Sequence, residues 1–239
     1  MKATATEVQN NFGKYLKFSL NEDVVITRNG KEIACLSKYD PDAKNKFLIR
    51  EGSAAYSYDK PIKATYEEFQ RLVEGSSNQY EYINGIIYLM ASPSYQHQVV
   101  SSKIYVKLFN WFNGKKCRPL FAPYDVNIPI GEENNTVQPD ILVICDEENV
   151  DSEGKYQGIP SLVVEVLSPS TKSKDMSTKL ELYMKGGIDE FWIVDMEEKE
   201  VYIYTFRNKE IFKYSVYRNK DIAHSLLYEG LEIDTEETF

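Results

Sequence analysis

Six residues constrain this chain most. Leu162-Val163-Val164-Glu165-Val166-Leu167 is an apolar strand with a carboxylate inside it. Aspartate and glutamate are almost never fully buried unless paired, and an isolated carboxylate in a low-dielectric interior is strongly disfavoured. Glu165 therefore requires a partner: a cation, a lysine, or a proton of its own held through a raised pKa. Side chains alternate along a strand, so Val163, Glu165 and Leu167 share one face. A glutamate salt-bridged at a strand end would satisfy the same pattern without any chemistry.

The segments around this strand set its context. Thr65 opens a short helix running to Gly75, and Tyr80–Ile83 and Ile86–Met90 form a hairpin across Asn84-Gly85, the strongest short turn signal. Val100, Ile104, Leu108 and Trp111 keep helical spacing and predict a helix over residues 96–113. Strands are expected near 120–128, 141–145, 162–167, 190–195, 200–206 and 210–217. A helix over 173–186 should stop at Gly186-Gly187. The order predicts an α/β (α+β) fold with a mixed central sheet flanked by helices. Asp140 follows Pro139 at the mouth of the strand Ile141–Ile144. On the 173–186 helix, Asp175, Lys179 and Tyr183 stand four apart on one face that can lean back over the sheet. Such spacing more often marks a solvated charge ladder.

With 239 residues and 42% hydrophobic content, the chain can build a real core, which excludes disordered and collagen-like classes. No run approaches the ~20 apolar residues of a membrane helix, and the polar start is unlike a secretory signal. Cys35, Cys117 and Cys145 are few, odd in number and far apart, so neither a disulfide framework nor a zinc cluster is expected. These readings make a cytoplasmic, reducing setting the expectation. Charge is uneven: residues 1–50 carry nine basic and six acidic side chains (+3), and residues 51–239 carry nineteen and thirty-one (−12). Tight, metal-free DNA binding by the larger part is therefore disfavoured. A carboxylate site holding a divalent cation is not, because the ion reverses the local sign.

In the first fifty residues, Thr6-Glu7-Val8-Gln9 reads as a capping box, followed by Val8, Phe12 and Leu16 with Tyr15 as one buried helical face. Val24–Arg28, Asn29-Gly30 and Lys31–Leu36 read as a hairpin. This order, with a short strand before the helix, resembles the N-terminal part of the Phd/YefM antitoxin family. The resemblance rests on Thr6-Glu7, Asn11-Phe12 and Val25-Ile26-Thr27-Arg28-Asn29-Gly30-Lys31. It implies a homodimerising, operator-binding module, with DNA and a toxin-antitoxin-type protein as partners. Gln9 stands where relatives often carry a DNA-contacting arginine, which weakens phosphate affinity. Arg28 and Lys31 remain candidate nucleic-acid contacts, or simply solvated hairpin charges. The predicted organisation is an antitoxin-like module at 1–40, a linker at 41–64 with one short helix, and a catalytic domain at 65–239.

Two carboxylates on neighbouring strand ends can hold Mg²⁺ through oxygen ligands while leaving water positions open. Such an ion activates water for phosphodiester hydrolysis, and a lysine beside it stabilises developing charge. Gln79–Gly85, Gln138-Pro139-Asp140, Leu162–Thr171, Asp175 with Lys179 and Tyr183, and Gly187–Asp195 together resemble the Uma-type restriction-endonuclease family of the PD-(D/E)XK nuclease superfamily. The resemblance spans about residues 62–235. It implies a restriction-endonuclease-like fold and a Mg²⁺-dependent (or Mn²⁺-dependent) deoxyribonuclease. It also implies Asp140 and Glu165 as catalytic metal ligands, Glu81 as a further ligand, and Lys179 as the catalytic lysine. The superfamily's usual lysine position, two residues after Glu165, holds Leu167. The competing expectation is a catalytically inactive DNA-binding regulator on the same fold. His97, at a helix start, is expected to cap or pack, and Ser168-Pro169-Ser170-Thr171 to shape the turn after the strand.

Overall fold

The computed structural model describes residues 1–20, 22–36, 48–50, 63–168 and 174–239. They divide into two compact units, one built from residues 1–36 and the other from 48–50, 63–168 and 174–239.

In the N-terminal unit, β1 (Lys2–Thr4) leads into α1 (Ala5–Asn10) and α2 (Phe12–Phe18), followed by β2 (Val24–Arg28) and β3 (Lys31–Leu36). β2 lies between the other two strands, parallel to β1 and antiparallel to β3. Both turn residues, Asn29 and Gly30, have positive φ (53° and 76°), as a two-residue hairpin demands. The capping box forms two residues earlier than expected, at Thr4 and Glu7. Glu7 N–H donates to Thr4 Oγ1 (3.2 Å), and Thr4 N–H donates to Glu7 Oε2 (2.8 Å). Thr4 has the extended backbone a cap needs, whereas Thr6 is already helical. The expected Val8–Phe12–Leu16 face is also corrected. Asn11 (φ −136°, ψ 39°) interrupts the helix and resets its phase, so the core is Ala3, Val8, Tyr15 and Val24. Phe12 and Leu16 are left about half exposed.

The larger unit contains β4 (Leu48–Arg50), α3 (Tyr66–Glu74), β5 (Tyr80–Ile83), β6 (Ile86–Leu89), α4 (Tyr95–Phe112), β7 (Arg118–Phe121), β8 (Val126–Asn127), β9 (Thr136–Val137), β10 (Ile141–Ile144) and β11 (Leu162–Leu167). A π-helical turn, Lys174–Lys179, opens into α5 (Leu180–Gly186). Then come β12 (Glu190–Asp195), β13 (Glu200–Arg207), β14 (Glu210–Arg218), β15 (Ile222–His224), β16 (Glu232–Asp234) and α6 (Thr235–Thr238). A six-stranded mixed sheet runs β14-β13-β12-β11-β10-β7, and its one parallel pair is β11 with β12. A second sheet runs β4-β6-β5-β9-β8. Leu48–Arg50, expected in a linker, is thus a strand parallel to β6. The short helix expected within the linker lies outside the described residues. The single strand expected near 120–128 splits into β7 and β8, which join different sheets.

The sequence explains why β11 is central. α4 presents Val100, Ile104, Leu108 and Phe112 to one face of the large sheet, against Val164, Val166, Trp192 and Val194. Phe112, rather than Trp111, completes this stripe in the core. The other face carries Val163, Leu167, Phe191 and Ile193, covered by Leu182 and Tyr183 of α5. Glu165 lies between Val163 and Leu167 on this second face, as strand alternation requires. α5 ends at Gly187 (φ 90°), whose N–H reaches the Tyr183 carbonyl. Cys117 and Cys145 are joined in a disulfide, contrary to the expectation from their separation of 28 residues. The antiparallel register Arg118↔Ile144 explains it, because it sets the residues just outside the two strands side by side. Among the described residues no helix is long and apolar enough to cross a membrane.

Candidate active site

β11 carries Glu165 into the sheet, and the neighbouring strand β10 is preceded by Asp140. Register Ile141↔Val164 brings Asp140 to the level of Glu165. Asp140 is anchored there: its Oδ2 accepts the Val166 N–H at 2.7 Å and lies 3.2 Å from His97 Nε2. From the following helical segment, Lys179 Nζ reaches Glu165 Oε1 (2.7 Å) and Glu81 Oε1 (2.8 Å), with Asp175 Oδ1 at 3.6 Å. Tyr183 OH donates to Glu165 Oε1 at 2.6 Å. Glu81 comes from β5, and its Oε1 also accepts the Gln138 N–H (3.1 Å). The charge-ladder reading of Asp175, Lys179 and Tyr183 does not hold, since all three are buried.

Among the described residues, carboxylates outnumber cations in this cluster. Glu81, Glu165, Asp175 and Lys179 are each at most 4% exposed, so three carboxylates surround one ammonium away from water. Burial works against the Lys179 cation, but Glu165 and Glu81, then Tyr183 and Asp175, outweigh it. Its pKa therefore stands well above the ordinary lysine value. Burial drives Glu165 the other way. Lys179 opposes that shift, Asp175, Asp140 and Glu81 reinforce it, and the result is a pKa well above a normal glutamate's. His97 is lowered by burial and raised more strongly by its bond and attraction to Asp140, for a net rise.

The cluster opens on one side into a cleft of about 530 Å³, lined by Asp140, Glu165, Lys179, Asp175, His97 and Gln138 among others. Glu81 is fully buried behind Lys179 and is not part of the cleft wall. Gln138 donates Nε2–H to Asp125 (2.7 Å), which orients the amide and leaves Oε1 buried with no hydrogen-bond partner among the described residues. Asp140, Glu165, Lys179 and Glu81 thus converge, although they span almost one hundred residues of sequence. Gln9, Arg28 and Lys31 are exposed in the N-terminal unit. Two contributors escaped the sequence reading. His97 does pack at a helix start, where Ser94 caps its backbone N–H, but its ring is turned onto Asp140. Gln138 appears in sequence only as a neighbour of Asp140. The signal for His97 was its rarity, as one of two histidines, set one turn into a helix.

Residues 66–236 match the profile of the Uma2 family, described as "Putative restriction endonuclease". The chain belongs to the Uma2 family. A similar protein is "Uncharacterized protein slr1290" of Synechocystis sp., 32% identical over 152 residues, which are 63% of this chain and 78% of the relative. Among solved structures, a DUF820 protein of Anabaena variabilis described as a "putative nuclease" superposes with a TM-score of 0.60 at 20% identity. That superposition covers 75% of this chain and 98% of the other. Its fold is the one described here: α+β, with sheets flanked by helices, of restriction-endonuclease-like type. The Uma2 match covers the segment carrying Glu81, Asp140, Glu165 and Lys179, and supports a nuclease.

Proposed function

We propose that this Uma2 protein is a divalent-cation-dependent endonuclease of PD-(D/E)XK type that hydrolyses DNA phosphodiester bonds. The observation that carries the reading is the cleft in which Asp140 and Glu165, from adjacent strands, meet a lysine supplied by the next helix. Magnesium binds through one or two carboxylates and keeps several waters, unlike ions that need a full protein cage. Among the described residues no three His, Cys, Asp or Glu side chains make such a cage. The all-oxygen set of Asp140, Glu165 and the orphaned Gln138 Oε1 suits Mg²⁺ or Mn²⁺. When bound, the ion would supply an activated water and neutralise charge on the attacked phosphate.

The chain's own groups have distinct tasks in this reading. Val166 N–H and His97 hold the Asp140 carboxylate at the cleft. Lys179, kept protonated by its carboxylate neighbours, donates and does not accept protons at neutral pH. It orients the attacking water or stabilises negative charge growing on the phosphoryl oxygens. Glu81 and Asp175 fix the ammonium, and Tyr183 fixes Glu165. The superfamily's usual lysine position, Leu167, is filled by a core side chain, so the ammonium enters from Lys179 instead.

The N-terminal unit, in the same proposal, dimerises or targets the enzyme. Its exposed Phe12, Leu16, Leu20 and Ile33 offer an apolar surface to a second copy or a toxin-antitoxin-type partner, and Gln9, Arg28 and Lys31 offer polar contacts to DNA. The deciding experiment is cleavage of supercoiled plasmid in Mg²⁺ or Mn²⁺ by wild type, Asp140→Ala, Glu165→Ala and Lys179→Ala. Metal-dependent nicking lost in all three variants, with circular dichroism unchanged for the two carboxylate variants, is expected. Wild-type rates in either carboxylate variant would refute the assignment.

A further inference from the structure

A second cavity, of about 280 Å³, adjoins the candidate active site and shares Gln98, Ala122 and Asp140 with it. Its walls differ in kind. Tyr105 and Phe121 meet edge to face at 4.9 Å, Ile141 forms the floor, and Ser101, Ser102 and Gln98 supply neutral polar groups along one side of α4. Asp140, shared by both cavities, is its one charged lining residue among the described residues.

Three features point to what belongs there. Phe121 is 60% exposed on β7, an edge strand, although it is a large aromatic beside a carboxylate site. It pairs with Ile141, and the next residue, Ala122, donates its N–H to the Asp140 carbonyl (3.0 Å), so the ring is held one residue from Asp140. The nearby cations of α4 are engaged elsewhere: Lys103 Nζ donates to the Glu237 and Thr238 carbonyls, and Lys107 pairs with Glu237. Apart from Asp140, the lining is therefore uncharged and partly aromatic, which suits a nucleobase rather than a phosphate. Its neighbour, with Lys179 and the carboxylates, suits the phosphate.

We infer that this cavity seats an unpaired base of the DNA nucleotide whose phosphate occupies the cleft, stacked on Phe121, with Gln98, Ser101 and Ser102 facing its edge. The inference rests on the nuclease reading and adds to it a substrate class: single-stranded or locally unpaired DNA. Bases inside an intact duplex are stacked and paired, and one must be extruded to enter such a pocket, at a cost least where it is already unpaired. The charge of the molecule argues the same way. A chain of net charge −9 whose cleft lining, among the described residues, contains a single lysine gains little affinity from phosphate contacts there. Stacking on an aromatic face supplies affinity independently of charge.

The test uses the full chain and fluorescein-labelled oligonucleotides of one sequence: single-stranded, fully paired, and single-stranded with one abasic nucleotide placed at successive positions. Binding is read by anisotropy in Ca²⁺, and cleavage separately in Mg²⁺ or Mn²⁺. The single strand should bind more tightly than the duplex, and Phe121→Ala should weaken single-strand binding by about five- to a hundredfold, the range expected for one stacked base. Duplex binding should be unchanged in that variant. One abasic position should reproduce the loss in wild type and add nothing in Phe121→Ala. Tyr214→Ala, which removes an exposed aromatic from the opposite edge strand, should leave all binding as in wild type. Equal effects of Phe121→Ala on single strand and duplex, or no effect, would overturn the inference. Absent cleavage with the expected binding pattern would instead count against the nuclease reading and leave the base pocket standing.

Discussion

Removing the Lys179 ammonium is the sharpest perturbation the structure offers. Lys179→Met keeps the length and apolar stem of the side chain but takes the ammonium away from Glu81, Glu165 and Asp175, which lie 2.7 to 3.6 Å from Nζ. Breaking a buried ion pair by deleting one partner typically costs about 3–5 kcal/mol, because the remaining charge is left uncompensated. Here the remaining charges can respond by binding protons. In wild type Lys179 has a raised folded pKa, so its contribution is fully present below the unfolded lysine value and is lost only as pH rises through the folded value. Between pH 5.5 and 7.5 that contribution is constant. In the variant, Glu165, already raised by burial, loses the ammonium that opposes that rise while keeping the Tyr183 hydrogen bond. A carboxyl whose folded pKa exceeds its unfolded value is destabilising as pH rises between the two. With one proton retained on folding, stability should fall by about 1.4 kcal/mol per pH unit, or about 2.7 kcal/mol from pH 5.5 to 7.5. Wild type shares part of this trend, because its Glu165 pKa is already raised, so the loss caused by the substitution should be smaller at pH 5.5 than at pH 7.5 by at most that amount. Both tryptophans, Trp111 and Trp192, belong to the larger unit, so fluorescence-detected urea unfolding reports on it alone. A loss below about 1 kcal/mol at pH 7.5, or an equal loss at both pH values, would refute the account of a lysine compensating buried carboxylates. If the variant fails to fold at neutral pH, Glu81→Gln added to it should restore folding by removing one carboxylate charge.

Other perturbations isolate single contacts. Glu190 is fully buried; its Oε1 accepts Trp192 Nε1–H and Ser225 Oγ–H, and its Oε2 accepts the N–H groups of Leu226 and Leu227. Glu190→Gln turns an amide N–H toward one of those donor pairs whichever way it is oriented, so urea unfolding should show a loss of about 1–3 kcal/mol per stranded donor. His97→Ala should lower kcat about tenfold and weaken Mn²⁺ binding measured by calorimetry, by removing one of two donors to Asp140. His97→Gln, which can still donate, should recover part of both, and a variant equal to wild type would remove His97 from the site. Deleting residues 1–40 should lower the mass measured by light scattering if that unit holds the dimer together; an unchanged mass would assign association to the larger unit.

Local chemistry was legible in the sequence wherever neighbours along the chain decide the outcome. Asn29-Gly30 and Asn84-Gly85 form the hairpin turns that their tolerance of positive φ predicts, and Gly187 closes the helix before β12. The helix caps were less legible: Thr65 opens its helix as expected and forms a capping box with Glu68, but the N-terminal box moved to Thr4-Glu7 because two threonines compete there and only backbone geometry separates them. Phe12 and Leu16 misled for a related reason, since a single non-helical residue at Asn11 turns both off the buried face while Tyr15 stays on it.

By itself, the sequence determined that β11 is a buried strand and that Glu165 within it must have a partner, because an unpaired carboxylate in an apolar interior is too costly to keep. It also made Asp140 and Lys179 the candidates. Which partner answers that need was decided by tertiary structure alone. A hairpin, a strand end, a strand interior and a helix had to fold together before Glu81, Asp140, Glu165 and Lys179 could meet. The same holds for His97 on Asp140, the Cys117–Cys145 bond and the pairing of Leu48–Arg50 with β6. Each is a contact between groups distant in sequence, and no periodicity or local propensity along the chain records which distant groups the packed sheet will bring together.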